Sequence, residues 1–176
     1  MKKVGVSFIF LRYLSLILLG PIIFSSNLFY SLFLKLTIYP ISWLLSLYST
    51  SLVAFDIIVI QGSRIEIIAA CVAVSAYFLL IAINLLTPMK PLKRLGSLVL
   101  SCLLLLLFNI LRIFLLTLLY LHNYDHLNLV HKTLWYTLNL LIVVLIWFFM
   151  VWAFKIKNVP IFSDFMAIWQ LKGLRK

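Results

Sequence analysis

Residues 95–121 form a long apolar run, LGSLVLSCLLLLLFNILRIFLLTLLYL. About 20 apolar residues in a helix cross the roughly 30 Å hydrocarbon core of a bilayer, so this run is long enough to span one. Further hydrophobic segments lie at residues 8–24, 28–48, 69–88 and 132–154. We therefore predict an all-α integral membrane protein, a single domain over residues 1–176 built as a bundle of about five transmembrane helices.

The composition of the whole chain agrees with lipid as its solvent. Hydrophobic residues make up 65% of the 176 residues and charged residues only 11%, whereas soluble domains carry about 25% charged residues. A soluble domain of this size has too much surface to hide so many apolar side chains. The net charge of +11 does not come with a basic, aromatic-interleaved patch on a soluble fold, so we reject a nucleic-acid partner.

The basic residues indicate an orientation in the cell membrane. Lys and Arg are enriched in cytoplasmic loops, and they cluster between the third and fourth segments and after the fifth (Lys90, Lys93, Arg94, Lys155, Lys157, Lys172, Arg175, Lys176). We expect both clusters to be cytoplasmic and the loop from His122 to His131 to be extracytoplasmic. Whether the first two segments both span, and on which side the N-terminus lies, stays open.

Two regions outside the apolar segments have a recognisable pattern. Residues 52–68 alternate apolar and other side chains around Gln61-Gly62-Ser63, which predicts a short extracytoplasmic β-hairpin before the third helix. Residues 158–176 mix apolar, aromatic and basic side chains and are predicted to form an interfacial tail on the cytoplasmic side.

Arg112 is the most informative residue of the chain because it interrupts the long apolar run. A central arginine costs roughly 2.5–3.5 kcal/mol on insertion scales. It lies nine residues before Leu121, roughly 13 Å along a helix axis, and its side chain points back along the helix and away from the nearer surface. Asn109 lies three residues earlier on the same helix face. We interpret Arg112 as functional.

Cys71 and His131 lie at the starts of the third and fifth segments. Both are predicted to be on the extracytoplasmic side, which is also the surface nearer to Arg112. A cysteine becomes a strong nucleophile when a base or a cation favours its thiolate. A guanidinium in low dielectric can also donate two hydrogen bonds to an oxyanion. These three residues are therefore a candidate catalytic set, whereas Cys102 lies in a plain leucine run and is interpreted as packing.

Several further residues and two other functions have to be weighed against this site. Ser75, four residues after Cys71, is a candidate groove residue, and Glu66 could orient His131 or pair with Arg64, or simply be solvated.

His122 and His126, with Asp125, could bind a metal if their segment were helical, but two His fall short of a full ligand set. We expect no metal and no cofactor. The non-enzymatic alternative is a membrane scaffold or transporter subunit in which Arg112 pairs with a partner's acid or with lipid headgroups.

The order of these motifs resembles the exosortase/archaeosortase family. The resemblance rests on Ile67-Ile-Ala-Ala-Cys71 after an extracytoplasmic hairpin, on Asn109-Ile-Leu-Arg112 in the next helix, and on His131 at the start of the helix after that. It covers roughly residues 30–154. The small size is similar to that of compact archaeal members such as the pacearchaeosortases.

The resemblance implies a membrane-embedded cysteine transpeptidase that cleaves C-terminal sorting signals of exported proteins. Such a signal is a short motif followed by a transmembrane helix and a basic tail, and the acyl group passes to an acceptor, for example a lipid. It implies Cys71 as nucleophile, His131 as general base or acid, and Arg112 as the group that stabilises the oxyanion or the thiolate. Many members follow the Cys with Ser or Thr and then Gly, whereas this chain has Cys71-Val72-Ala73.

Overall fold

The fold was derived from a computed structural model, which describes residues 13, 14, 18, 20, 27–87 and 89–156. The predicted first segment, 8–24, lies largely outside these residues, and the predicted tail, 158–176, lies entirely outside them. The described chain is mostly helical with a small sheet, as the sequence predicts.

Three long helices carry most of the structure. Helix α1 spans Asn27–Ser46 and corresponds to the predicted second segment. Helix α4 spans Pro91–Leu121 and begins with a proline, whose fixed φ suits the first helical turn. Helix α6 spans Asn139–Ala153. Helix α4 packs against both α1 and α6, so the long apolar run at residues 95–121 lies in the central helix of the described fold.

The predicted hairpin is a three-stranded antiparallel sheet. Its strands are β1 (Ser51–Ala54), β2 (Ile57–Ile60) and β3 (Ser63–Glu66), in the order β1-β2-β3. The prediction was wrong in taking residues before Gln61 as one strand, because Phe55 and Asp56 form a second two-residue turn in which Phe55 has a φ of 57°. Alternation of apolar residues continues through so short a turn, so the sequence pattern does not reveal it.

One face of the sheet packs on the helices and the other is exposed. Ile58 and Ile60 are buried in a cluster with apolar residues of α1, and Ile65 packs against the same cluster from β3. Arg64 and Glu66 alternate with Ile65 and are exposed, as expected when successive side chains of a strand point to opposite faces. The sheet is therefore fixed to the helices by its apolar face.

The predicted third segment is two helices, not one. Helix α2 spans Ala69–Val72 and helix α3 spans Val74–Leu86, with Ala73 between them at φ 59° and ψ 37°. This left-handed conformation is unfavourable for residues with a Cβ and favours glycine. Ala73 therefore occupies a backbone conformation that glycine adopts without steric cost.

We expect the Ala73→Val variant to lower the free energy of unfolding by about 2–3 kcal/mol, because a β-branched side chain is strained in the left-handed region and Ala73 has little space around it. Ala73 is only 3% exposed. The matched Ala73→Gly variant should stay within about 1 kcal/mol of the parent, since relief of strain is offset by a lost methyl contact and a more flexible unfolded chain. Unfolding of the purified chain in detergent, followed by circular dichroism, measures both. A valine variant as stable as the parent would contradict the backbone assignment.

The predicted fifth segment, 132–154, begins earlier and is not uniformly α-helical. Helix α5 spans Leu127–Thr133, a π-helical turn spans Leu134–Leu138, and α6 follows directly. His131 therefore lies in the last turn of α5 and not at the start of the helical stretch. Among the residues that the structure describes, two stretches, Pro91–Leu121 and Leu127–Ala153, are long and apolar enough to cross a bilayer.

Candidate functional site

A cavity of about 280 Å³ lies where β3, α2, α4 and α5 meet. Cys71 lines it from α2, Arg112 from α4 and His131 from α5, while Arg64 and Glu66 line it from β3. The predicted nucleophile, cation and imidazole thus line one cavity, although they are separated by 41 and 19 positions in the sequence. Its remaining walls are mainly apolar (Ile65, Ile67, Ile113, Leu116, Leu127).

Arg112 links the walls of the cavity through its guanidinium. Its Nη2 donates to the backbone carbonyl oxygen of Cys71 at 2.9 Å, and its Nη1 donates to Oδ1 of Asn139 at 2.6 Å. The residue is 7% exposed, and its Nε is buried with no hydrogen-bond partner among the described residues. A planar guanidinium fixed at two nitrogens is held in one orientation.

The helix break at Ala73 explains why Arg112 finds the Cys71 carbonyl. The last carbonyls of a helix have no partner within that helix, and α2 ends at Val72. The amide of Cys71 donates to the carbonyl of Ile68 at 2.8 Å, so the cysteine is held in the short helix while its own carbonyl accepts from Arg112. The thiol of Cys71 is free and the residue is half-buried. The backbone around the thiol is therefore tied to α4.

The side chain of Tyr30 supports the same region from α1. Its hydroxyl donates to the carbonyl oxygen of Ile67 at 2.9 Å, directly after β3. Ile67 is buried, and its amide donates to the carbonyl of Asp56 at 2.8 Å. The segment between β3 and α2 is therefore fixed on both sides, which positions Cys71 relative to the sheet.

Asn139 is the site residue that the sequence analysis missed. It accepts a hydrogen bond from Arg112 and is the first residue of α6, directly after the π-helical turn. A π-helical turn inserts about one extra residue, which rotates the following residues by about 100° around the helix axis. An amide in an otherwise apolar segment was a usable signal, because polar groups in such segments are usually paired.

Ser75 is not a groove residue, and that prediction was wrong. It is exposed on α3 and does not line the cavity. The prediction assumed that Cys71 and Ser75 lie on one helix face, but the left-handed Ala73 stands between them and breaks the helical phase. Spacing of four residues places two side chains together only within a continuous helix.

Asn109 and Glu66, the two other predicted supporting residues, lie in different parts of the structure. Asn109 is buried one turn before Arg112, but it does not line the cavity, and neither of its amide atoms has a partner among the described residues. Glu66 is exposed and lines the cavity together with Arg64 and His131. Glu66 therefore lies at the cavity, whereas Asn109 does not.

His122 and His126, the alternative metal site, do not lie on one continuous helix. His122 is the residue after α4, and its Nδ1 lies 2.8 Å from the carbonyl of Leu118 while its Nε2 lies 3.4 Å from the hydroxyl of Tyr48. Asn123 follows with a φ of 51°, and His126 lies in the turn before α5. Within the described ranges, no group of three or more His, Cys, Asp or Glu residues is arranged to hold a metal.

A second pocket, which we call the apolar groove, lies between α4 and the α5–α6 stretch. It has a volume of about 300 Å³ and is lined by Arg112 and by apolar side chains (Phe108, Leu111, Leu115, Leu134, Leu138, Ile142, Leu145). Leu134 and Leu138 belong to the π-helical turn. Arg112 lines both the cavity and the apolar groove, which are therefore neighbours on α4.

Comparison of this chain with protein-family models, with curated proteins and with solved structures finds no match.

Proposed function

We propose that this chain is a membrane-embedded cysteine transpeptidase of the exosortase/archaeosortase type. It cleaves the C-terminal sorting signals of exported proteins and transfers the cleaved protein to an acceptor, for which a lipid is the best candidate. The observation that carries the proposal is the single cavity lined by Cys71, Arg112 and His131, with the guanidinium bonded to the Cys71 backbone.

The surface of the helices supports a place in the membrane. The most apolar windows of the two spanning-length stretches are only 28% and 22% buried, whereas a core helix of a soluble protein would be mostly buried. Large side chains that are more than half exposed occur on α1, α4 and α6 (Trp43, Leu107, Phe148, Trp152). A multi-pass arrangement with the cavity on the extracytoplasmic side satisfies both this apolar exterior and the basic clusters.

The reaction follows from the roles of the three side chains. His131 accepts the proton of the Cys71 thiol, and the thiolate attacks the carbonyl carbon of the scissile peptide bond. The oxyanion of the tetrahedral intermediate accepts a hydrogen bond from the Arg112 guanidinium, through an N–H group that the bonds to Cys71 and Asn139 leave unused. His131 then protonates the leaving amine, which departs with the transmembrane helix of the signal and leaves a thioester on Cys71. A hydroxyl or amine of the acceptor attacks the thioester and gives its proton to His131. The C–S bond breaks, and the Cys71 thiolate takes that proton from His131.

The apolar groove supports the part of the proposal that concerns substrate access. A sorting signal carries its own transmembrane helix, so it reaches the enzyme from within the bilayer, where helices associate by close packing. The groove lies between α4 and the α5–α6 stretch and shares Arg112 with the cavity. A substrate helix in this groove would carry the preceding peptide bond toward Cys71.

The proposal predicts a thioester on Cys71. The full-length chain is isolated from cells that also express an exported protein ending in a hydrophobic helix with a basic tip, and its peptides are analysed by mass spectrometry before and after neutral hydroxylamine. We expect an acyl adduct on Cys71 that hydroxylamine removes, because thioesters react with this nucleophile and amides do not. Cys102, which does not line the cavity, is the internal control. Processing of the exported protein with acylation of a residue other than Cys71 would overturn the mechanism.

A further inference from the structure

The sheet has two edge strands, β1 and β3, and β3 is the one that lines the cavity. The strand order is β1-β2-β3, so β3 pairs only with β2 and no other strand of the described chain covers its outer side. An edge strand presents unpaired N–H and C=O groups and can accept a further strand. Such an edge is normally kept short or charged to avoid uncontrolled pairing, and β3 has four residues, two of them charged.

The register identifies which backbone groups point outward. Gln61 and Gly62 form a two-residue turn, so the flanking pair Ile60 and Ser63 exchanges hydrogen bonds. Hydrogen-bonded pairs recur at every second residue, which makes Ile58 and Ile65 the next one. The bond from the amide of Ile67 to the carbonyl of Asp56 at 2.8 Å continues the same series. The N–H and C=O groups of Arg64 and Glu66 therefore point away from β2.

The outward edge borders the candidate active site. Arg64, Ile65, Glu66 and Ile67 all line the cavity that Cys71 lines. Cys71 follows Glu66 by five residues, through a segment held by Tyr30. A peptide lying in an extended conformation along β3 therefore continues into the cavity that contains the nucleophile.

We propose that β3 binds the exposed segment of the sorting signal as a fourth strand, through the backbone groups of Arg64 and Glu66. This inference rests on the proposed function, and it names the part of the substrate that the sheet recognises: an extended peptide on the N-terminal side of the scissile bond. Main-chain hydrogen bonds provide binding that tolerates many sequences, while side-chain contacts select the motif. Arg64 and Glu66 both point to the exposed face, so they favour an acidic and a basic substrate residue two positions apart.

The test measures peptide binding by the full-length Cys71→Ala protein in lipid nanodiscs. The probes are two fluorescein-labelled heptapeptides, Thr-Val-Glu-Val-Lys-Val-Thr and Thr-Val-Lys-Val-Glu-Val-Thr, which match the charges of β3 in the parallel and antiparallel directions. Each amide of the tighter peptide is N-methylated in turn. We expect a loss of at least about tenfold in affinity at every second amide and less than about threefold at the amides between them, because only alternate residues of a strand face one neighbour.

Variants of β3 provide an independent measurement. Arg64→Pro and Glu66→Pro remove the outward amides without removing a bond to β2, and proline is tolerated at such edge positions. We expect each to weaken binding at least about tenfold, whereas the matched Arg64→Ala and Glu66→Ala variants keep the amide and should weaken binding less. The N-methyl series uses a protein with the native sheet, so the test does not depend on folding of the proline variants.

Two outcomes would overturn the inference: binding of neither peptide, or N-methyl effects without alternation along the peptide. Because binding is measured on a protein that lacks the thiol, this result is independent of catalysis. Alternating binding together with unimpaired processing by the Cys71→Ala protein would contradict the proposed function and leave the strand site intact. Processing that requires Cys71, without alternation, would contradict the strand site alone.

Discussion

Replacement of Cys71 by alanine is expected to abolish processing of an exported protein with a C-terminal sorting signal, a loss on the order of 10³-fold or more. The expected loss is large because the thiol forms the covalent bond on which the second half of the reaction depends. The measurement is the ratio of cleaved to uncleaved protein in cells that express the full-length variant, resolved by gel electrophoresis and normalised to the amount of the variant in the membrane.

Cys102→Ala is the matched control, because it makes the same chemical change elsewhere in the fold. Cys102 lies on α4, is half-buried, and packs against the apolar cluster that includes Leu105 and Met150. It does not line the cavity. We expect its variant to process the substrate within about threefold of the parent, a stability effect only. Processing by Cys71→Ala at the parental level would exclude the cysteine mechanism and favour the scaffold or transporter-subunit alternative.

Replacement of Arg112 by glutamine is expected to reduce processing by about 10²–10³-fold, the usual effect of removing one donor to an oxyanion. Glutamine cannot reproduce the two bonds to the Cys71 carbonyl and to Asn139. Arg112→Lys should also lose most activity, because an ammonium keeps the charge but lacks the planar fork. Single-turnover release of the cleaved signal by the purified variants in nanodiscs separates this effect on the chemical step from any loss of substrate binding.

Arg94→Gln is the matched control for Arg112→Gln, since it removes a guanidinium from the same helix. The Nη2 of Arg94 donates to the carbonyl of Thr87 at 3.2 Å, and Arg94 does not line the cavity. We expect the Arg94 variant to retain processing within about threefold, because it loses only a structural hydrogen bond. Full activity of Arg112→Lys would show that a point charge suffices and would contradict the role given to the guanidinium fork.

The features that the sequence predicted are those carried by side-chain polarity along the chain. Long apolar runs predict helices wherever they occur, and α1 and α4 lie close to their predicted positions. A charged residue in such a run stands out without any structure, because its burial is unfavourable unless it is paired. Arg112 could therefore be selected from the sequence, and in the structure it lines one cavity with Cys71 and His131.

The features that the sequence analysis missed depend on backbone geometry. The left-handed conformation of Ala73 divides one apolar run into α2 and α3, and alanine gives no sign of it because alanine ordinarily favours the helix. The π-helical turn before Asn139 likewise has no recognisable pattern in the sequence. The turn at Phe55-Asp56 falls within an unbroken alternation of apolar residues. In each case the local preference is overridden by packing of the elements on either side.

The amino-acid sequence by itself determined that the chain is helical and strongly apolar, with a cation, Arg112, inside the long apolar run that needs a partner. The identity of that partner was decided only by the tertiary structure. Arg112 bonds to a backbone carbonyl 41 residues earlier and to an amide side chain 27 residues later. Hydrophobicity and turn preference act between neighbours in the chain, whereas hydrogen bonds across helices depend on the rotation and depth at which those helices pack. Packing of α2, α4 and α6 therefore turned an isolated guanidinium into part of a site.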